Sequence, residues 1–298
     1  MTIPSPTLDA IARPGGGLAM VAMDQRESLR HMFDVAGAGR PASETLVEFK
    51  RAVATELGDL ASGFLIDRDF GGMQLLHDGL LPKDCGFILA ADALEQEAGG
   101  PVEETSLDEN ALVDAGVDGV AAIKLLIIWR RDELREQRVA LAQRFIDEAR
   151  GRGVLSVLEP VVRATPSELD SSTWDPQAAI REAAHELSAL RPSLYKVQVP
   201  LAGTGTPDEQ RAASERLATD IQGPWVVLSQ GVALDRFADA VQAACLAGAS
   251  GFLAGRALWS DVVGADDVPA TLRERSRPRL ERLIEIVDAH ARPWSDAR

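Results

Sequence analysis

The chain has 298 residues, 46% hydrophobic but only 5% aromatic, and a formal net charge of −15. It is long for an ordinary domain but near the size of one α/β barrel, roughly 250 residues, and its core must be built from Ala, Val, Leu and Ile. The acidic balance excludes a broad nucleic-acid or anionic-membrane surface, so any anionic ligand needs a local cluster of Lys, Arg and backbone N–H groups.

The two cysteines, Cys85 and Cys245, each stand alone in an apolar context. That suits buried thiols in a reducing cytosol rather than a disulfide framework. No signal-type run occurs within Met1–Pro14, and no stretch is apolar enough to span a membrane. The sequence predicts a soluble, cytoplasmic protein.

After a lead-in of about 1–14, eight short apolar runs follow in order: LAMVAMD (18–24), GFLID (63–67), GFILA (86–90), AAIKLLIIW (121–129), VLSVLEPVV (154–162), LYKVQVP (194–200), WVVLS (225–229) and GFLAG (251–255). Each is continuous rather than alternating, as in strands of a parallel sheet buried on both faces. The segments between them read as helices. Leu134, Leu141, Phe145, Ile146 and Ala149 fall at helical spacing before Gly151 and Gly153. Asp175-Pro176 opens another helix with a cap and a first-turn proline. A third carries Phe237, Ala238, Val241 and Cys245 as its apolar stripe. Ala164 to Asp175 is polar and reads as a loop, and a C-terminal helix is expected at about 270–290.

This alternation predicts a single (β/α)8 TIM barrel over 1–298, with an open doubly wound sheet as the alternative. Gly15-Gly16-Gly17 precedes the first strand rather than following it, so a dinucleotide site has little support.

Barrel enzymes carry their chemistry at the carboxyl ends of the strands. Lys124, Glu159 and Lys196 lie within the fourth, fifth and sixth apolar runs. Burial disfavours the ammonium form of Lys196 and makes it a candidate Schiff-base nucleophile. Lys124 would be the second cation, and Glu159 would pass protons. The three could also be a purely structural ion pair or a snorkelling lysine. Burying three charges without a use is costly, which favours chemistry.

Ser229 and Gly231 turn out of the seventh run, and Gly255 with Arg256 out of the eighth, where barrels commonly hold phosphate. Asp24 ends the first run, with Gln25 and Arg26 just beyond it. Asp24 either serves the pocket or caps a helix starting near Ser28. His31, His77, His185 and His290 are scattered and none ends a strand, so no metal is expected. Trp129, Trp225 and Trp259 read as packing residues.

The blocks AMVAMDQRESLRHMF, AIKLLIIWRRDE, LEPVVR, LYKVQVPL, LSQGV and AGASGFLAGRALW resemble the Schiff-base (class I) aldolases of the tagatose-1,6-bisphosphate aldolase type, most closely the sulfofructosephosphate aldolases, over about Gly16 to Val287. The resemblance implies that Lys196 forms the Schiff base, Glu159 transfers protons, and Lys124 and Asp24 flank the lysine. It implies that Ser229, Gly231 and Arg256 hold the phosphate of dihydroxyacetone phosphate, with Gln25 and Arg26 toward the distal end of the substrate. The implied reaction is cleavage of a ketose 1-phosphate, foremost 6-deoxy-6-sulfofructose 1-phosphate, to dihydroxyacetone phosphate and an aldehyde. It implies no cofactor and a homodimer or homotetramer. Gln230, Gln198 and the segment IDRDFGGMQ depart from the family pattern around the pocket, which bears on the substrate rather than the mechanism. A Schiff-base lyase on another carbonyl compound, or a sugar-phosphate sensor without catalysis, are the alternatives.

Overall fold

Successive side chains of a strand turn to opposite faces, and in this chain both faces are apolar. The computed structural model describes residues 6–297. In β1 (Leu18–Met23), Leu18, Met20 and Ala22 join an interior cluster with Leu65, Ile88, Ala122, Leu155, Val157, Leu194, Val226 and Leu253. Ala19, Val21 and Met23 join a second cluster shared with the surrounding helices. Two separate apolar layers, one inside the sheet and one outside it, are what a closed barrel requires.

All eight expected strands are present. After β1 come β2 (Gly63–Asp67), β3 (Gly86–Ala90), β6 (Val120–Trp129), β7 (Leu155–Val162), β8 (Leu194–Gln198), β9 (Trp225–Leu228) and β10 (Gly251–Ala254). They pair in parallel, in the order β1-β2-β3-β6-β7-β8-β9-β10, and β10 pairs back onto β1. Leu18 stands opposite Gly251 on one side of β1, and Met20 opposite Gly63 on the other, so the sheet has no free edge. Closure excludes the open-sheet alternative.

Helices fall where the apolar stripes place them. Arg135–Arg152 buries Ala142, Phe145, Ile146 and Ala149 and ends at Gly153 in the left-handed conformation. Pro176–Ser188 is capped by the Asp175 carboxylate on the Gln177 and Ala178 N–H groups, and Phe237–Leu246 and Arg277–His290 also pack on the barrel. The loop expected over 164–175 contains a short helix, Pro166–Asp170, because Thr165 and Glu168 form a reciprocal capping box. Trp259 and Phe49 meet edge-to-face, and Trp129 and Trp225 are buried, so these tryptophans serve packing.

Two features went beyond the apolar pattern. Leu8–Ile11 forms a tight turn whose Leu8 and Ile11 plug the amino-terminal end of the interior cluster. Residues 92–107 form an antiparallel hairpin outside the barrel, β4 (Asp92–Gln96) and β5 (Val102–Leu107). Its strands are polar and acidic, so no apolar run marks them. The hairpin rises from the carboxyl end of β3 and overhangs the mouth of the barrel.

Candidate active site

The period of two along each strand selects which residues reach the mouth. The inward row of β6 runs from Ala122 to Lys124, that of β7 from Leu155 and Val157 to Glu159, and that of β8 from Leu194 to Lys196. On β1 the row Leu18, Met20, Ala22 leads to Asp24. Four charged side chains therefore stand on one apolar layer, with Lys124 1%, Lys196 3%, Glu159 6% and Asp24 9% exposed.

They form a connected network. Lys196 Nζ donates to Glu159 Oε2 at 2.9 Å, and Lys124 Nζ lies 2.9 Å from the same oxygen. Lys124 also donates to Asp24 Oδ2 at 2.6 Å and to Asp92 Oδ2 at 2.9 Å. Burial works against the Lys124 ammonium, but Asp24, Asp92 and Glu159 outweigh it and hold its pKa well above the usual lysine range. Burial likewise pushes the Asp24 carboxyl up, and the charges of Lys124 and Lys196 overcome it, leaving Asp24 far below the usual carboxylate range. Lys124 is thus a fixed cation held by three carboxylates. Lys196 touches one.

Beside this network a cavity of about 520 Å³ opens between Asp24, Lys124, Glu159, Lys196, Ser229, Gly231, Gly255 and Arg256, with the hairpin residues Gly99–Val102 at its rim. That is within the size range of small-molecule sites, roughly 300–1,000 Å³. Gly231 has φ +81°, a backbone conformation in which a side chain is strained. At Gly255 a Cβ would stand 2.5 Å from the Ala22 carbonyl oxygen, so only glycine lets β10 turn out this close to β1. Arg256 is half-buried and forms no ion pair among the described residues. Burial lowers its pKa, opposed by the more distant Glu159 and Asp24. A half-buried guanidinium beside glycine turns suits an anionic group.

The model of the family described as DeoC/LacD family aldolase matches residues 18–261, a span that contains every residue of this network. The chain belongs to the DeoC/LacD aldolase family. This aldolase is 26% identical to tagatose 1,6-diphosphate aldolase of Listeria monocytogenes serotype 4a, covering 96% of this chain and 92% of that one. It is also 26% identical to tagatose 1,6-diphosphate aldolase 2 of Streptococcus pyogenes serotype M3, covering 94% of each. Among solved structures, fructose-bisphosphate aldolase from Plasmodium falciparum shares the fold at a TM-score of 0.71 and 13% identity, covering 98% of this chain and 99% of that one. An archaeal fructose-1,6-bisphosphate aldolase does so at 0.58 and 16%, covering 94% and 97%.

The remaining pocket residues of the aldolase divide by what they touch. Asp24 does not cap the first helix: Glu27–Val35 has no side-chain cap, and the carboxylate faces Lys124 instead. Gln25 lines the cavity with a buried Oε1 that has no hydrogen-bond partner. Arg26 also lines it, but its Nη1 and Nη2 donate to the Asp92 carbonyl at 2.8 Å and the Asp92 Oδ1 at 3.2 Å. Gln230 lines the cavity, and Gln198 Oε1 accepts the Val162 N–H at 2.8 Å, tying the ends of β7 and β8.

Three residues escaped the sequence reading. Asp92, 1% exposed, takes Lys124, Arg26 and the Leu126 N–H at 3.0 Å. It stands just past the third apolar run, where the same strand-end rule would have found it. Arg163 lines the cavity two positions beyond Val161, continuing the inward row of β7. His31 also lines it, from the helix Glu27–Val35, with Gly99 packed against its ring. Cys85 and Cys245 are buried free thiols, each pushed up to about 12 by burial. Among the described residues no helix is long and apolar enough to cross a membrane.

Proposed function

We propose that this aldolase is a Schiff-base enzyme that cleaves a ketose 1-phosphate into dihydroxyacetone phosphate and an aldehyde. The observation that carries the reading is that Lys124 and Lys196 share one oxygen of Glu159 while Lys124 alone is locked by two further carboxylates. Lys124 supplies a permanent positive charge, and Lys196 is the amine. Its Nζ attacks the substrate C2 carbonyl, and Glu159 takes up and returns the protons as the carbinolamine loses water. The iminium accepts the electron pair of the C3–C4 bond, the C4 hydroxyl gives up its proton to the Glu159 carboxylate, and the aldehyde leaves. The resulting enamine is protonated at C3, and water then releases dihydroxyacetone phosphate and restores Lys196. Asp24 keeps Lys124 in place. Ser229, Gly231, Gly255 and Arg256 bind the 1-phosphate, and Gln25 and Arg26 wall the pocket beyond.

The sequence blocks quoted above support 6-deoxy-6-sulfofructose 1-phosphate as the substrate, with sulfolactaldehyde as the second product. The relatives named for tagatose 1,6-diphosphate favour a 1,6-bisphosphate as the second reading. The free buried thiols suit a reducing cytosol, and a homodimer or homotetramer is the assembly to test by light scattering. The deciding experiment adds borohydride with dihydroxyacetone phosphate, with and without EDTA, and maps the adduct by peptide mass. Trapping at Lys196 that the chelator leaves intact is expected; an adduct elsewhere, or activity abolished by EDTA, overturns the reading. Product analysis over sulfonated and phosphorylated ketoses then ranks the substrates.

A further inference from the structure

Two guanidinium groups face the cavity without an ion-pair partner among the described residues, those of Arg256 and Arg163. They stand on opposite sides of Lys196 around the barrel. Arg256 follows β10, two strands from β8 in one direction, and Arg163 follows β7, one strand from it in the other. The side chain of Arg163 is half-buried, and its Nε is buried with no hydrogen-bond acceptor. A buried N–H left without an acceptor is costly, and an anionic ligand would supply one.

We propose that Arg163 binds a second anionic group of the substrate, the one at the end of the chain opposite the 1-phosphate. This rests on the aldolase reading above, in which the carbonyl carbon is fixed at Lys196 and the 1-phosphate lies by Ser229, Gly231 and Arg256. With those two points fixed, the rest of a six-carbon chain runs away from β9 and β10, either over β1 or over β6 and β7. Among the described residues that line the cavity, the guanidinium on the β1 side is that of Arg26, whose Nη groups are already engaged by Asp92. On the β7 side Arg163 has no ion-pair partner among the described residues. Its charged surroundings are Glu103 of the hairpin, Arg130 and Arg256. Glu103 is itself ion-paired with Arg130, at 3.0 Å. Burial and the two neighbouring guanidinium charges lower the Arg163 pKa, against the opposing pull of Glu103, a field that an incoming anion would relieve. Phosphate and sulfonate both fit a guanidinium fork, so the shared chemistry is a tetrahedral oxyanion on the sixth carbon.

The test measures kcat/KM for Arg163→Gln and Arg163→Lys on three sugars: fructose 1-phosphate, a ketose 1,6-bisphosphate and the 6-sulfonated ketose 1-phosphate. For Arg163→Gln, the preference for the anionic sugars over fructose 1-phosphate should fall by about 10- to 100-fold, the size of one charge-assisted hydrogen bond. Arg163→Lys should restore part of it. Which anionic sugar loses more separates phosphate from sulfonate. Borohydride trapping of dihydroxyacetone phosphate by each variant reports a folded barrel, since that ketone has no distal anion. An unchanged preference, or equal losses on all three sugars, overturns the assignment while leaving the aldolase reading intact. Wild-type protein that neither traps dihydroxyacetone phosphate nor cleaves any of the sugars overturns both.

Discussion

Lys124 and Lys196 approach the same oxygen, Oε2 of Glu159, each at 2.9 Å. They come from strands on either side of β7, the strand that carries the glutamate. One carboxylate oxygen thus sits between a lysine locked by two further carboxylates and a lysine with no other carboxylate contact among the described residues. A structural ion pair needs only one of these lysines. Placing two about one acceptor at the mouth of a cavity suits proton traffic.

Glu159→Gln tests that role. The amide keeps the volume and can still accept from one lysine, but it cannot carry a proton. Turnover should fall by about 10²–10⁴-fold, the range for positioned acid–base groups, beside a stability loss of about 1.5–3 kcal/mol for the charged hydrogen bonds to the two buried lysines, read from a urea titration. Wild-type turnover would remove Glu159 from the chemistry.

Asp92 ties three elements together, since its carboxylate takes Lys124, Arg26 and the Leu126 N–H. Asp92→Asn keeps the shape but removes the charge facing buried Lys124 and half-buried Arg26. A loss of about 1.5–3 kcal/mol of stability is expected, as for a hydrogen bond to a charged group, together with reduced kcat on every substrate. The check is a urea titration beside steady-state kinetics. Unchanged stability would show that the hairpin holds the site without this carboxylate.

Asp24 gives a pH signature. Unfolded, its carboxyl titrates near 3.8; folded, it lies far lower, because Lys124 and Lys196 outweigh the penalty of burial. A lowered carboxylate pKa contributes stability that is complete above the unfolded value and is lost as pH falls toward the folded one. The stability difference between wild type and Asp24→Asn should therefore shift against wild type from about pH 5 downward. Urea midpoints of both proteins at pH 6, 5, 4 and 3 measure it. Parallel curves would show that Asp24 does not ionise as the geometry requires.

Much of this was legible because burial and chemistry share the same strands. The continuous apolar runs located all eight strands, and Lys124, Glu159 and Lys196 stood out as charges inside them. The period of two then placed their side chains together. Arg163 was legible by the same rule, as the fourth step of the row Leu155, Val157, Glu159, Val161, but it lies beyond the apolar run, where polar residues are ordinarily solvated. The hairpin was hidden for another reason. Its strands, DALEQ and VEETSL, pair outside the barrel and need little apolar burial; Gly99-Gly100-Pro101 was the one turn signal. Which cations are free was not legible at all. Arg26 and Arg256 both look available in sequence, and only Asp92, brought over by that hairpin, separates them.

That separation sets the last prediction, a contrast between Arg256→Ala and Arg26→Ala. Arg256 has no ion-pair partner among the described residues and lies beside Ser229 and the Gly231 turn. Its loss should weaken dihydroxyacetone phosphate and every ketose 1-phosphate alike, by about 1.5–3 kcal/mol for a charged hydrogen bond. Arg26 instead holds Asp92, which holds Lys124. Its loss should loosen the fixed cation and lower kcat for all substrates, with KM little altered, since the side chain's charged hydrogen bonds are internal. The measurement is kcat and KM for both variants on fructose 1-phosphate and on a sugar with an anionic sixth carbon. If Arg26→Ala penalises only the second sugar, Arg26 releases Asp92 on binding and itself meets the distal charge. If the losses fall on kcat for both sugars, the Arg26–Asp92 pair is part of the scaffold of Lys124, and the distal anion must find its cation elsewhere in the pocket.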